Sequence, residues 1–135
     1  MRVVRKQDVD EPFRAELGEE MYKMIDRPSE LGGSSKHSFV HAVIPPGKSS
    51  SAHFHKDSEE TYYGLSGRAY MQIDGRRFYV EPGVAVLIMP GEIHQIWNAE
   101  ADRDFEFLTI SAPAWVPTDT YPAELPSATE DSTAK

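Results

Sequence analysis

Two histidines separated by one residue, His53 and His55, and the glutamate that follows at Glu60 are the side chains whose types and spacing can do chemistry in this 135-residue chain. Alternate side chains of a β-strand point to one face, so both imidazoles of HFH can reach a common point. Glu60 follows a short polar break, KDSE, and opens an aromatic run, ETYY. A carboxylate entering a neighbouring strand can close on the same point. Two imidazoles and a carboxylate are a ligand set suited to Fe, Mn, Ni, Cu, Zn or Co. The competing reading is a half-exposed strand beside a solvated loop end, and these three residues alone do not separate the two.

A further histidine, His94, follows the Pro90-Gly91 turn and opens the run HQIWN, with Asn98 two alternations on. If the strands carrying His53 and His94 lie close together, His94 supplies a third imidazole; otherwise it is a rim or core residue. The chain has no cysteine, which removes disulfides, thiolate ligands and thiol nucleophiles from consideration. Any transition metal here must be held by histidine and carboxylate.

The elements that must position these residues read as strands. HSFVHAVI runs up to the Pro45-Pro46-Gly47 turn, and Ser51 to His55, Glu60 to Leu65 and Arg68 to Ile73 follow it. Asp74-Gly75 lies between two alternating runs, so RRFYV is expected to pair back on AYMQI. VAVLIM is apolar enough to suggest a strand buried on both faces, and HQIWN and DFEFLTIS complete the series. Short strands at regular spacing with Gly/Pro turns indicate an all-β sandwich or small barrel. MYKMI, Met21 to Ile25, reads as a strand, with a short helix over Glu16 to Ile25 as the alternative, and Val3-Val4 could start another strand. Asp26 to Ser35 is a loop that could connect or cover a pocket. The expected division is an N-terminal arm or strand over 1–20, a barrel over 21–115 and a partly mobile tail over 116–135, rich in Pro, Ser, Thr and Ala.

The formal net charge of −8 speaks against a nucleic-acid binder, which needs a basic face. The N-terminus lacks the apolar run of a signal peptide and no segment is long enough to span a membrane, so a cytoplasmic location is the expectation.

The spacing of these residues resembles the cupin family. Gly47, His53, His55, Glu60 and Gly67 fit that family's first motif at every fixed position. Gly83, Gly91, His94 and Asn98 fit its second, with Met89 at the proline position and Pro90 one place later. The fifteen residues between Gly67 and Gly83 are a short intermotif length of the kind small bacterial cupins have. The resemblance implies a double-stranded β-helix, a jelly-roll barrel. It also implies that His53, His55, Glu60 and His94 bind one divalent transition metal, leaving positions open for water or substrate. Similar small cupins act as dioxygenases, lyases, decarboxylases or isomerases and epimerases. The expectation drawn is a homodimeric metal-dependent enzyme acting on a small polar organic substrate that chelates the metal. Dioxygenase chemistry is slightly preferred. The alternatives are a lyase or isomerase using Tyr62 for proton transfer, or a module that binds a small ligand without turning it over.

Tyr62 shares a face with Glu60 and is the candidate catalytic residue, while Tyr63 points the opposite way, into packing or an interface. Ser51, Met71, Ile96 and Asn98 are candidates for the cavity wall, and His41 reads as structural. Arg68, Arg76 and Arg77 read as surface charges on a hairpin, and Trp97 and Trp115 as packing residues.

Overall fold

The computed structural model describes residues 1–29 and 32–130. The strands, in chain order, are β1 (Phe13–Arg14), β2 (Glu20–Ile25), β3 (Ser38–Ile44), β4 (His53–Phe54), β5 (Glu59–Ser66) and β6 (Ala69–Ile73). They continue as β7 (Arg76–Val80), β8 (Ala85–Ile88), β9 (His94–Asn98), β10 (Phe105–Ala112), β11 (Tyr121–Pro122) and β12 (Thr129–Glu130). One six-stranded sheet runs β1-β2-β3-β10-β5-β8, and the other runs β11-β4-β9-β6-β7-β12. Neighbours pair antiparallel, except that β12 joins β7 in parallel.

Period-two alternation aims one face of each strand inward. Along β5, Glu60 and Tyr62 are buried while Glu59, Tyr63 and Leu65 are exposed. Along β9, His94 and Ile96 are fully buried. The two sheets enclose one core, with Ala42, Ile44, Phe105 and Phe107 from the first sheet against Ala69, Met71, Val80 and Ile96 from the second. This apolar plug fills one end of the barrel interior and leaves the other end to the polar residues.

β8 departs from expectation. Val86 and Ile88 face the core, but Leu87 is 57% exposed, so the strand is buried on one face only. Val3-Val4 forms no strand; the N-terminal segment makes a single 3₁₀ turn at Lys6–Asp8. β1 and β2 form a hairpin, with Phe13 opposite Met21, and this excludes the helical alternative for residues 16–25. Of the expected loop over residues 26–35, Glu30 and Leu31 lie outside the described residues.

Past Trp115, a turn at Pro117–Asp119 leads into β11, which pairs Tyr121 with Phe54 and Pro122 with His53. Two turns carry the register. Gly67 adopts φ +84°, and a Cβ there would lie 2.6 Å from the Asp104 carbonyl oxygen, so only glycine fits between the strands. Gly91, at φ +86°, makes the turn before His94 and donates its N–H to the His55 carbonyl at 2.7 Å.

Candidate metal centre

His53 and His94 are register partners across β4 and β9, and Glu60 enters from β5 in the opposite sheet. One ligand atom from each of His53, His55, Glu60 and His94 lies within 4.8 Å of the others. His55 Nε2 is 2.9 Å from Glu60 Oε1, and His94 Nε2 is 3.2 Å from the same oxygen. All four residues expected from the spacing therefore meet at one point, which could hold a metal ion.

The outer nitrogen of each ring is fixed by a backbone carbonyl. His53 Nδ1 donates to Ser51 O at 2.8 Å, His55 Nδ1 to Asp119 O at 2.8 Å and His94 Nδ1 to Glu92 O at 2.9 Å. A carbonyl can only accept, so each Nδ1 carries the proton and each Nε2 keeps its lone pair. Those lone pairs and Glu60 Oε1 converge although acceptors repel one another. His55 Nε2, His94 Nε2 and Glu60 Oε1 are buried with no hydrogen-bond partner, which is the arrangement a bound cation would relieve. The other Glu60 oxygen, Oε2, accepts from Ser111 Oγ at 3.0 Å. The residues present fit a divalent transition ion with three imidazoles and one carboxylate.

Titration follows the same geometry. Burial pushes the Glu60 carboxyl up, but the adjacent His55 and His94 imidazoles more than reverse this and hold it well below the carboxylate range. Burial pushes His55 down, yet the Glu60 carboxylate and the Asp119 carbonyl raise it above 6.5 overall. Burial, followed by the neighbouring His94, lowers His53 to about 4. Both shifts share one cause, the closeness of the His55 imidazole to the buried Glu60 carboxylate.

The centre opens onto a cavity of about 300 Å³, whose wall includes Tyr62, Met21, Val40, Trp115 and Ser51. A larger hollow of about 400 Å³, between the β6–β7 hairpin and β8, carries none of the imidazoles. Tyr62 is buried, 6.1 Å ring to ring from His94, and burial together with Glu60 and Glu19 pushes its hydroxyl well above 10. Of the other wall candidates, Met71 and Ile96 sit in the apolar plug. Asn98 binds the Ile44 and Arg103 carbonyls away from the cavity. His41 faces outward, 2.8 Å from Glu106.

Two residues escaped the sequence reading. Glu19 is 7% exposed and lines the cavity, and burial, then Glu60, raises its carboxyl to about 7. Among the described residues its side chain has no hydrogen-bond or ion-pair partner. It lies on the face shared by Met21 and Lys23 of β2, held by the Ala15–Glu19 and Leu17–Ser49 backbone bonds. Nothing in its local sequence, GEEM, separates it from its neighbour Glu20; a two-residue alternation carried back from Met21 is the one available signal. Asp119 is buried and accepts from the backbone N–H groups of Lys56, Asp57 and Ser58 at 2.9 to 3.2 Å. Burial would raise its carboxyl, but these amides and His55 hold it below its usual range. Its signal lay in PTD, a turn with an acidic third residue, within a segment too polar to read as part of the barrel.

Two facing sheets with an inward three-histidine, one-glutamate cluster define the class: a jelly-roll barrel of the double-stranded β-helix kind with a possible metal site. A family model described as a cupin domain matches residues 40–111, just over half of the chain, and the protein belongs to the cupin family. An uncharacterised protein of Methanocaldococcus jannaschii is 40% identical over 63 residues, 47% of this chain and 50% of that protein, so the match spans half of that relative. Two solved structures are similar at TM-score 0.72 and 26% identity. One is the polyketide cyclase RemF from Streptomyces resistomycificus, covering 93% of this chain and 87% of that one. The other, from Thermotoga maritima, is described as a predicted oxalate decarboxylase, covering 83% of this chain and 99% of that one.

Proposed function

We propose that His53, His55, Glu60 and His94 hold one divalent transition metal and that the protein is a metal-dependent enzyme moving a proton on a small carbonyl-bearing molecule. The carrying observation is that Glu19 and Tyr62 line the same cavity as the ligand cluster. An ion held by the cluster would supply Lewis-acid charge to a chelating substrate oxygen.

The two side chains suit different roles. Tyr62 keeps its proton at any working pH and serves as a hydrogen-bond donor to an oxygen that gains negative charge. Glu19, with a carboxyl at about 7, is matched to taking up and returning a proton near neutrality. Glu19 would take the proton from the carbon beside a carbonyl, Tyr62 would donate a hydrogen bond to the enolate oxygen that forms, and Glu19 would return the proton to the carbon skeleton. This favours the lyase or isomerase alternative over dioxygenase chemistry, with Glu19 in place of Tyr62 as the group that moves the proton. Two of the similar structures are described as a polyketide cyclase and a predicted oxalate decarboxylase.

Metal analysis of protein purified without chelators, beside the His53→Ala variant, tests the first part: stoichiometric metal in the wild type and its loss in the variant. The second part is read by NMR as exchange of the α-protons of 2-hydroxy-1-phenylethanone in D₂O. Glu19→Gln and Tyr62→Phe should each slow the exchange about 10²–10⁴-fold. Full metal content with exchange no faster than buffer would instead mark a binding module.

A further inference from the structure

Resting on that reading, we infer that the cavity selects an uncharged molecule with a ring-sized apolar body and two adjacent oxygens at one end, and disfavours small dianions. Met21, Val40, Tyr62 and Trp115 contribute apolar lining beside the histidine and carboxylate groups, in a space of about 300 Å³. That volume suits one substituted ring better than a two-carbon acid, which would leave most of the apolar wall facing water. Phe13 also lines the cavity, and the Lys23 ammonium lies 5.3 Å from its ring centre and 5.0 Å from that of Trp115. These rings add to the apolar lining.

The charges argue in the same direction. Glu16, Glu19, Asp26 and Glu60 line the cavity, and among the described lining residues Lys23 is the single lysine or arginine. A dianion at the imidazoles would face Glu16 and Asp26 on the surrounding wall, with no arginine to clamp its far end. An uncharged chelating molecule meets no such repulsion. The small polar substrate expected from the sequence is narrowed here to one that is polar at a single end.

Three probes separate these possibilities: 2-hydroxy-1-phenylethanone, hydroxyacetone and oxalate, each titrated calorimetrically into metal-loaded and metal-free protein. The first two share the α-hydroxyketone and differ in the ring. The phenyl compound should bind at least tenfold more tightly than hydroxyacetone in both forms, and more tightly than oxalate in the loaded form. Val40→Phe, an apolar substitution that fills the cavity, should abolish the advantage of the ring while metal content stays unchanged. Met21→Phe provides the same test from another strand should the first variant fold poorly. Equal affinity for the two hydroxyketones, or tighter binding of oxalate, overturns the inference. A preparation that takes up no metal overturns the proposed function instead, while the ring preference of the metal-free protein still decides the inference.

Discussion

The His55 imidazole donates its Nδ1 proton to the backbone carbonyl of Asp119 at 2.8 Å, across 64 residues of sequence. The same residue's carboxylate gathers the amides of Lys56, Asp57 and Ser58, the loop between His55 and Glu60. One residue from the C-terminal segment therefore sets the His55 tautomer and the shape of the connection between two of the four cluster residues.

Asp119→Ala should release that loop and weaken zinc binding about tenfold or more, the scale on which outer hydrogen-bond partners act on metal affinity. Competition against a chromophoric chelator measures it, with circular dichroism as the control for folding. Unchanged affinity in a folded variant would confine Asp119 to loop stability.

Metal affinity should fall with acid through the neutral range, and His55 should be the cause. Its proton, held above 6.5 in the metal-free protein, must leave when Nε2 becomes a ligand, whereas His53 at about 4 is already neutral there. Zinc affinity should therefore drop by about tenfold per pH unit below the His55 pKa. Chelator competition at pH 6, 7 and 8 reads the slope, and a flat profile would remove His55 from the ligand set.

Glu19 makes the metal-free fold sensitive to pH in a defined direction. Folded Glu19 holds its proton to about pH 7, while the unfolded chain releases it near 4.5. The stability this contributes is complete below 4.5 and is lost as pH rises through 7. Glu19→Gln, neutral at every pH, should gain on the wild type by up to about 3 kcal/mol between pH 5 and pH 8. Urea unfolding at both pH values, with a chelator present, measures this. The same difference at both would mean that Glu19 titrates as a solvated carboxyl.

We propose the homodimer with a particular face. Tyr63, Leu65, Leu87 and Ile110 are exposed on the outer side of neighbouring strands, and Thr61 pairs with both Leu87 and Ile110. Edge-strand and outer-face apolar surface of this kind is ordinarily covered. Sedimentation velocity should give a dimer that Leu87→Glu shifts toward monomer; a monomeric wild type at micromolar concentration removes the proposal.

Most of the barrel and the ligand cluster were legible because both are written in short-range spacing. A two-residue period places His53 with His55 and Glu60 with Tyr62 on shared faces, and glycine at Gly67 marks a backbone conformation that other residues resist. β8 misled because AVLI carries apolar side chains on both faces, and composition cannot say which face the sheet leaves uncovered.

By itself, then, the sequence determined which side chains share a strand face and which residue types could bind a metal. Only the tertiary structure decided that His94 pairs with His53, that the Asp119 carbonyl orients His55, and that Glu19 lines the cavity. The physical reason is that these depend on strand pairing and burial between segments distant in the chain. An isolated Glu19 or Asp119 is an ordinary solvated acid until the fold excludes water from around it.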